Sequence, residues 1–518
     1  MANKSVFAST IGKLLPAAMA WNREGAPAYA YTPRHKLAQL AATGTFNTTF
    51  YAEGREQLDD VLKLLPKLEP GYIARTAVYA HERGRMKDMP ALLLAYLSML
   101  QTDDFQKVFA RIVGNGKMLR NVVQMLRSGA TGRTSLGTRP KRLVQRWLEQ
   151  ASDIELLRAS VGNDPSLADV IRMVHPRPKD ASREAFYGWL VGRPHDVAKL
   201  PAIVTAFEAF KRDPSAPVPD VPFQMLTSLP LTKEHWAGVA EKAGWHMLRM
   251  NLNTFARHGV YEVEGFTAML AERLRDASAI RRAGVFPYQL MAAYAMAGPG
   301  VPREVRDALQ DAMEIALENV PAFHGNVVVC PDVSGSMASP VTGSRKGATT
   351  TVRCIDVAAL MAAAVLRKNP AARVIPFEQA VVEIDLNPRD SVMTNAGKLA
   401  AVGGGGTCCS APAELLVREK AKVDLLIYVS DNESWVDARP GHRGTALMQA
   451  FERLRRLNPK VRLVCIDIQP YGTTQALERE DVLNVGGFSD AVFDQIALFA
   501  DGRMGADHWV GEIEKIAL

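Results

Sequence analysis

The residues of this chain best suited to chemistry lie in the run Asp332-Val-Ser334-Gly-Ser336. In an extended segment, residues at i, i+2 and i+4 lie on one side, so three side-chain oxygens can aim at one point, and Gly335 lets the loop bend between them. Two later stretches carry matching groups. Gly403-Gly-Gly-Gly-Thr407 sets a threonine after a flexible glycine loop, and Asp424-Leu-Leu-Ile-Tyr-Val-Ser430-Asp431 is an apolar run ending in an acid. Oxygen donors of this hardness suit a divalent cation, Mg²⁺ first, with Mn²⁺ or Ca²⁺ also compatible, rather than zinc. Asp, Ser and Gly after a strand also make an ordinary turn. The three stretches together, not any one of them, point to metal.

These groups meet only if strands carry them. Val327 to Cys330 and Leu425 to Ser430 are short β-branched apolar runs that read as strands buried on both faces. In an open parallel α/β sheet, groups at the carboxyl ends of neighbouring strands converge on one crevice, where Asp332, Ser334, Ser336, Thr407 and Asp431 would meet. From Gly325 onward the pattern alternates. Strands are expected at 327–330, 373–377, 380–386 (pairing with its predecessor), 425–430 and 461–468. Helices are expected at 352–368, 412–420, 444–457 and 490–499. Such alternation means a doubly wound α/β domain over residues 321–518. This constellation closely resembles the metal-ion-dependent adhesion site of the von Willebrand factor A-type domain, whose pattern of Asp-x-Ser-x-Ser, a separate Thr and a separate Asp is matched at all five positions.

Residues 31–320 read differently. Leu58, Val61, Leu62, Leu64 and Leu65 mark one apolar helical face, and helical patterns recur up to about residue 318, interrupted by four prolines between Pro214 and Pro222. Helices of this length with short Gly/Pro breaks suit an α-solenoid of stacked pairs. No strict repeat period is visible, so a compact irregular helical domain is the alternative. Residues 1–30 are a weakly patterned N-terminal extension.

A length of 518 residues with 47% hydrophobic and 23% charged content suits a multidomain globular protein. No apolar run reaches a membrane span, and Lys13 interrupts the N-terminal apolar tendency, so neither a membrane anchor nor a signal peptide is expected. All five cysteines follow residue 329 without metal spacing, which fits a reducing cytoplasm. Charge is uneven: residues 1–320 hold 41 Lys+Arg against 32 Asp+Glu, a net of 41 − 32 = +9, and the remainder holds 21 against 23, a net of −2. The basic excess thus belongs to the helical part and suggests a polyanionic partner there.

Its densest portion runs from Lys107 to Arg146, with ten Lys+Arg and no acid. A charge run is often only a solvated face. Here the glycines and hydroxyls of Ser128 to Gly137 add donors that phosphates accept, which favours nucleic acid. Lys117, Arg120, Arg139, Lys141 and Arg142 are the expected phosphate contacts. Arg172 and His175 lie three apart at the end of a further helix. No catalytic set stands out: Cys408 and His442 could form a nucleophile–base pair only if the fold joined them, and no carboxylate pair or hydrolase motif is present, so no enzymatic activity is expected.

Read together, these stretches resemble the Ro ribonucleoprotein family over nearly the whole chain. Gly44-Thr-Phe-Asn-Thr-Thr-Phe-Tyr51 resembles the opening of that family's helical RNA-binding (TROVE) domain, and Leu136 to Trp147 its basic helix. Ala168-Asp-Val-Ile-Arg172-Met-Val-His175 is similar to its Asp-Leu-Leu-Arg-x-x-His stretch, with Ala168 where the family often has lysine. Val285 to Tyr294 resembles its last helix before the A-type domain. Most specific are Gly405-Gly-Thr407-Cys-Cys-Ser410, Ser430-Asp-Asn-Glu433 and Gly486-Gly-Phe488-Ser-Asp-Ala. The resemblance implies a HEAT-like helical ring closed by the A-type domain. It implies Y-like small RNAs bound outside, with Arg172 and His175 helping to grip them, and single-stranded 3′ ends of misfolded or immature RNAs in the central hole. It also implies a monomeric protein within a ribonucleoprotein and a link to an exoribonuclease such as polynucleotide phosphorylase. A reading of another class is an adaptor whose metal site captures an acidic side chain of an AAA+-type partner. RNA that co-purifies with the protein would separate the two.

Overall fold

The computed structural model of the chain describes residues 15–43, 46–285, 287–318, 320–344, 352–438, 444–487, 490–504 and 507–518. Two compact units emerge, one gathering residues 1–68, 286–288 and 317–515, the other 69–285, 289–316 and 516–518. The N-terminal stretch up to Leu68 therefore belongs with the α/β unit rather than with the helices that follow it, a division different from the expected break at residues 30–31.

The α/β unit is built on a five-stranded sheet in the order Arg373–Val374, Val327–Pro331, Leu425–Ser430, Arg462–Asp467, Val482–Gly486, with all four pairings parallel. Parallel strands must be covered on both faces, and these are. Val327–Pro331 and Leu425–Ser430 are buried at every residue. Alternate residues Val328, Cys330, Leu426, Tyr428, Leu463 and Cys465 form one core with Leu416, Leu447, Phe451 and Leu454 from the helices Ser410–Arg418 and Ala446–Leu457. The opposite face is covered by Cys354–Lys368, whose run of small and branched apolar residues buries nearly every position. Each fully buried Val, Leu or Ile contributes roughly 1.5–3 kcal/mol, so this sheet is a rigid platform for the loops at its carboxyl edge.

Several elements depart from the sequence expectation. The edge strand stops at Val374, and residues 380–386 make no ladder with it; only an isolated bridge, Phe377 to Val381, survives of the expected pairing. The strand Val482–Gly486 and the helix Val392–Ala400 were not anticipated. Neither was an N-terminal hairpin, in which Ala20–Trp21 pairs antiparallel with Pro27–Ala30, whose end pairs in turn with Thr473–Thr474.

The second unit is helical throughout its described residues. Pro70–Glu82 packs on Asp88–Leu97, that helix on Gly116–Arg127, and Phe266–Arg275 on Arg303–Ala316. Residues 245–257 form two short helices, Trp245–Met250 and Leu252–Arg257, rather than one. The Asn251 side chain donates to the Met247 carbonyl at 2.8 Å, the local competition with helix that asparagine offers. No helix among the described residues is long and apolar enough to cross a membrane.

One buried arginine fixes the helix that carries the basic face. Arg183 is 2% exposed and donates to the Leu148 and Ala151 carbonyls at 3.1 and 2.8 Å and to Asp153 Oδ1 at 3.1 Å. It thereby satisfies the Ala151 carbonyl just beyond Thr138–Gln150 and shares the Leu148 carbonyl with the Tyr187 hydroxyl, which donates to it at 2.9 Å. Arg183→Ala should cost about 2–4 kcal/mol, since it leaves the Ala151 carbonyl unpaired and a cavity behind. Hydrogen exchange should accelerate around Leu148 to Ala151. Unchanged protection there would show that the guanidinium holds nothing.

Candidate metal centre and basic face

Asp332, Ser334, Ser336, Thr407 and Asp431 are buried, none more than 7% exposed. Backbone hydrogen bonds bind the three stretches together. Gly335 N–H donates to the Gly405 carbonyl at 2.9 Å and Gly404 N–H to Val333 at 2.8 Å, so the glycine loop lies against the Asp-x-Ser-x-Ser turn. Trp435 and Val436 N–H both donate to the Thr407 carbonyl at 3.1 Å, and Ser434 Oγ does so at 3.2 Å. The loop following Asp431 is thus tied to Thr407. Gly403 is required by this approach: its φ is +91°, and a Cβ there would stand 2.2 Å from the Val333 carbonyl oxygen.

The side chains complete the arrangement. Asp332 Oδ1 accepts from Ser334 N–H at 2.8 Å and Oδ2 from Ser430 Oγ at 2.6 Å, while the Ser334 and Ser336 hydroxyls stand 3.4 Å apart. Burial pushes the Asp332 carboxyl up from its ordinary range, and the nearby Asp431 charge pushes it further. Burial raises Asp431 as well, opposed by a hydrogen bond from Ser336. Two desolvated carboxylates repelling each other beside buried hydroxyls form a donor set that a hard divalent cation would neutralise. Among the described residues no group of three or more His, Cys, Asp and Glu side chains is placed to hold a metal. The candidate site is of another kind, two carboxylates with three hydroxyls.

Sequence reasoning missed how the N-terminal residues serve this site. Asn22 Nδ2 donates to the Ser434 carbonyl at 2.7 Å and Arg23 N–H to Glu433 Oε2 at 2.6 Å, while Asn22 Oδ1 closes its own hairpin by accepting from Ala26 N–H at 2.8 Å. The hairpin therefore braces the loop after Asp431. Tyr51 also reaches Ser336, and its phenol is pushed up by burial and by the Asp431 charge. Asn432 has φ 61°, a left-handed conformation that asparagine tolerates. An Asn, Arg and Tyr so distant in sequence carry no local signal of this role.

The basic run divides into two groups. Arg120 is 8% exposed and donates to the Val161 carbonyl at 2.6 Å and to Pro165 at 3.3 Å. Arg139 donates to the Leu100 and Thr102 carbonyls and lies 5.0 Å over the Phe105 ring. Arg133 donates to Leu136 and Ser98, and Arg111 pairs with Glu82 at 2.7 Å. These guanidinium groups have partners within the fold, Arg120 and Arg139 among them, which the sequence reading expects as phosphate contacts. By contrast, Thr138–Gln150 buries Pro140, Leu143, Val144 and Leu148 and turns Arg142 and Arg146 to solvent, with Lys141 half-buried at the margin. Lys117 is exposed on the neighbouring helix Gly116–Arg127.

Arg172 and His175 join this face. Gln145 Nε2 donates to the Val174 carbonyl at 2.5 Å, and Glu149 Oε1 accepts from Arg177 N–H at 3.1 Å, which clips the end of Leu167–Val174 onto the basic helix. His175 is exposed in the left-handed region that ends that helix. Exposed Arg172 pairs with Asp169 at 3.2 Å and donates to the Val191 carbonyl at 2.6 Å. Arg142, Arg146, Arg172 and His175 thus come from two helices that touch. Cys408 is a buried thiol pushed up by burial, poorly suited to act as a nucleophile; His442 lies outside the described residues, as do Gly44, Thr45, Phe488 and Ser489.

Comparison with known proteins agrees with this architecture. The family model describing the Ro60 von Willebrand A domain matches residues 326–500. A Deinococcus radiodurans protein named RNA-binding protein RO60 is 25% identical over 521 residues, covering 93% of this chain and 95% of the relative. A Caenorhabditis elegans protein of the same name is 23% identical over 245 residues, 45% of this chain and 37% of its own. The crystal structure of the Deinococcus radiodurans RO (RSR) protein superposes with a TM-score of 0.62 at 23% identity, covering 91% of this chain and 100% of that one, and so shares its fold. Residues 326–500 thus match the Ro60 von Willebrand A domain, and the likeness to the Deinococcus radiodurans protein named RNA-binding protein RO60 runs through nearly the full length of the chain.

Proposed function

We propose that this protein is a non-enzymatic RNA-binding scaffold of a Ro-type ribonucleoprotein. The observation that carries the reading is the solvent-facing group Arg142, Arg146, Arg172 and His175 on two clipped helices, with Lys141 and Lys117 beside it. Cations on a rigid surface bind phosphates without reading sequence, which suits small structured RNAs of the Y type. Single-stranded 3′ ends of misfolded or immature RNAs would enter the central hole that the family resemblance implies, for decay or maturation by an exoribonuclease such as polynucleotide phosphorylase. Names of the relatives support RNA as the partner class.

The second part of the proposal is that Asp332, Ser334, Ser336, Thr407 and Asp431 hold a divalent cation, Mg²⁺ before Mn²⁺ or Ca²⁺. Bound there, the ion would neutralise the two carboxylates and offer a coordination position to a further oxygen ligand. The protein is expected to work in the cytoplasm as a single chain bound to RNA.

Crosslinking in cells followed by sequencing of the bound RNA tests the function as a whole. Recovery of small structured RNAs, together with reads ending at exposed 3′ termini, is expected. A preparation that carries no RNA and yields no crosslinks would contradict the scaffold reading and favour the protein-binding adaptor.

A further inference from the structure

The edge of the central sheet is open where the sequence expects it to be closed. Ala380-Val-Val-Glu-Ile-Asp-Leu386 alternates apolar and polar residues like a strand, yet its pairing with the edge strand ends almost as it begins. Glu378 N–H donates to Ala380 and Val382 N–H to Pro376 at 2.8 Å; beyond that, among the described residues, Glu383 through Leu386 make no backbone hydrogen bond. The other side of the gap is unpaired too. Ile375 and Phe377 N–H donate inward to Val329 and Pro331, so the N–H and carbonyl of Val374 point outward, where among the described residues no backbone partner meets them.

Between these two unpaired backbones runs a groove of 1170 Å³, also walled by the helix Ser410–Arg418. Val374, Val381, Ile384 and Leu415 supply half-buried apolar surface along it. Its charge is one-sided. Five acidic residues line it against two arginines; of the acids, Glu419 is paired with Arg373 and Glu414 with Arg453. Glu383 and Asp385 are exposed, with no ion-pair partner among the described residues. An exposed sheet edge is normally kept short, charged or covered to discourage pairing; this edge strand is two residues long and is covered only as far as the Val382 N–H bond to Pro376.

We propose that this edge is a docking slot for an extended segment of a protein partner whose residues alternate between apolar and basic. Such a segment adds a strand to Val374 at the usual spacing of about 4.8 Å. Its apolar side chains cover Val374 and Leu415, and its lysines or arginines meet Glu383 and Asp385. The acidic lining repels phosphates, so RNA is excluded from this surface and the slot is independent of the basic face on the helical unit.

The test uses the full-length protein and a synthetic peptide of about seven residues alternating Lys and Val, matched to common strand length. A second peptide of the same sequence carries N-methyl groups on alternate residues, which removes strand donors without changing charge. The first peptide should bind and slow amide exchange at Val374. The methylated peptide, and a Glu383→Lys, Asp385→Lys protein, should each bind about tenfold more weakly or worse. Equal binding of the methylated peptide would overturn strand addition, and equal binding by the reversed-charge protein would overturn the assigned slot. Slow exchange at Val374 in the free protein would do the same, because residues 383–386 would then already close the edge.

Discussion

Asp431→Asn should abolish the thermal stabilisation that Mg²⁺ or Mn²⁺ confers on the wild-type protein, while leaving the metal-free protein as stable as wild type or more so. The two halves of this expectation have one cause. Asp332 and Asp431 are both raised by burial, and the Asp431 charge raises Asp332 further, so removing the Asp431 charge relieves repulsion on Asp332 when no cation is present. A ligand that binds only the folded state at about 100 times its Kd stabilises by about 2.7 kcal/mol, and asparagine forfeits that gain by removing one of the anionic donors. Asp332→Asn should lose the same response but be less benign, because its two oxygens also accept from Ser334 N–H and Ser430 Oγ. Melting curves with and without the divalent ion read both effects. A wild-type protein indifferent to the ion, or an Asp431→Asn protein that still responds, would show that the cluster is only a turn.

The second large effect separates the arginines of the basic run. Replacing Arg142 and Arg146 together should weaken RNA binding strongly with little loss of stability, since both face solvent on a helix whose packing lies on its other side. Arg120→Ala should do the reverse. Its guanidinium holds the Val161 and Pro165 carbonyls, so truncation leaves buried acceptors unpaired at about 1–3 kcal/mol. Thermal melts alongside RNA affinity at one salt concentration distinguish the two. Equal losses of affinity at constant stability for both variants would place Arg120 at the RNA and contradict its structural assignment.

The contrast also shows how far residue types reveal structure. Leu425–Ser430 matches its sequence expectation residue for residue, because a β-branched run between turn residues has few alternatives once helices flank it. The side-chain cluster proposed to hold metal was legible for the same reason: strand ends fix where Asp332 and Asp431 go, and a parallel sheet makes them converge. Charge count was a poorer guide, for a guanidinium facing a carbonyl and one facing water look alike in sequence. The N-terminal hairpin was hidden because Ala20–Trp21 is too short to carry a pattern, and its purpose depends on Ser434, 412 residues away from Asn22. Val482–Gly486 was missed because buried Asn484 interrupts its apolar run; the fold satisfies that side chain by donation to the Ala476 carbonyl at 3.0 Å and to Glu478 Oε2 at 2.6 Å. The expected strand at 380–386 failed in the opposite direction, since a fitting pattern cannot supply the partner that a ladder needs.

The central claim, that the outward basic face binds RNA through phosphates, is tested most directly by a salt titration of wild type and a Lys141→Ala, Arg142→Ala protein on one structured RNA. Each lost phosphate contact removes released counterions and should lower the slope of log K against log salt by about one. The account predicts a slope shallower by about two for the double variant, with weaker binding across unrelated sequences alike. Parallel slopes for the two proteins would contradict it and reduce the basic helix to a solvated surface.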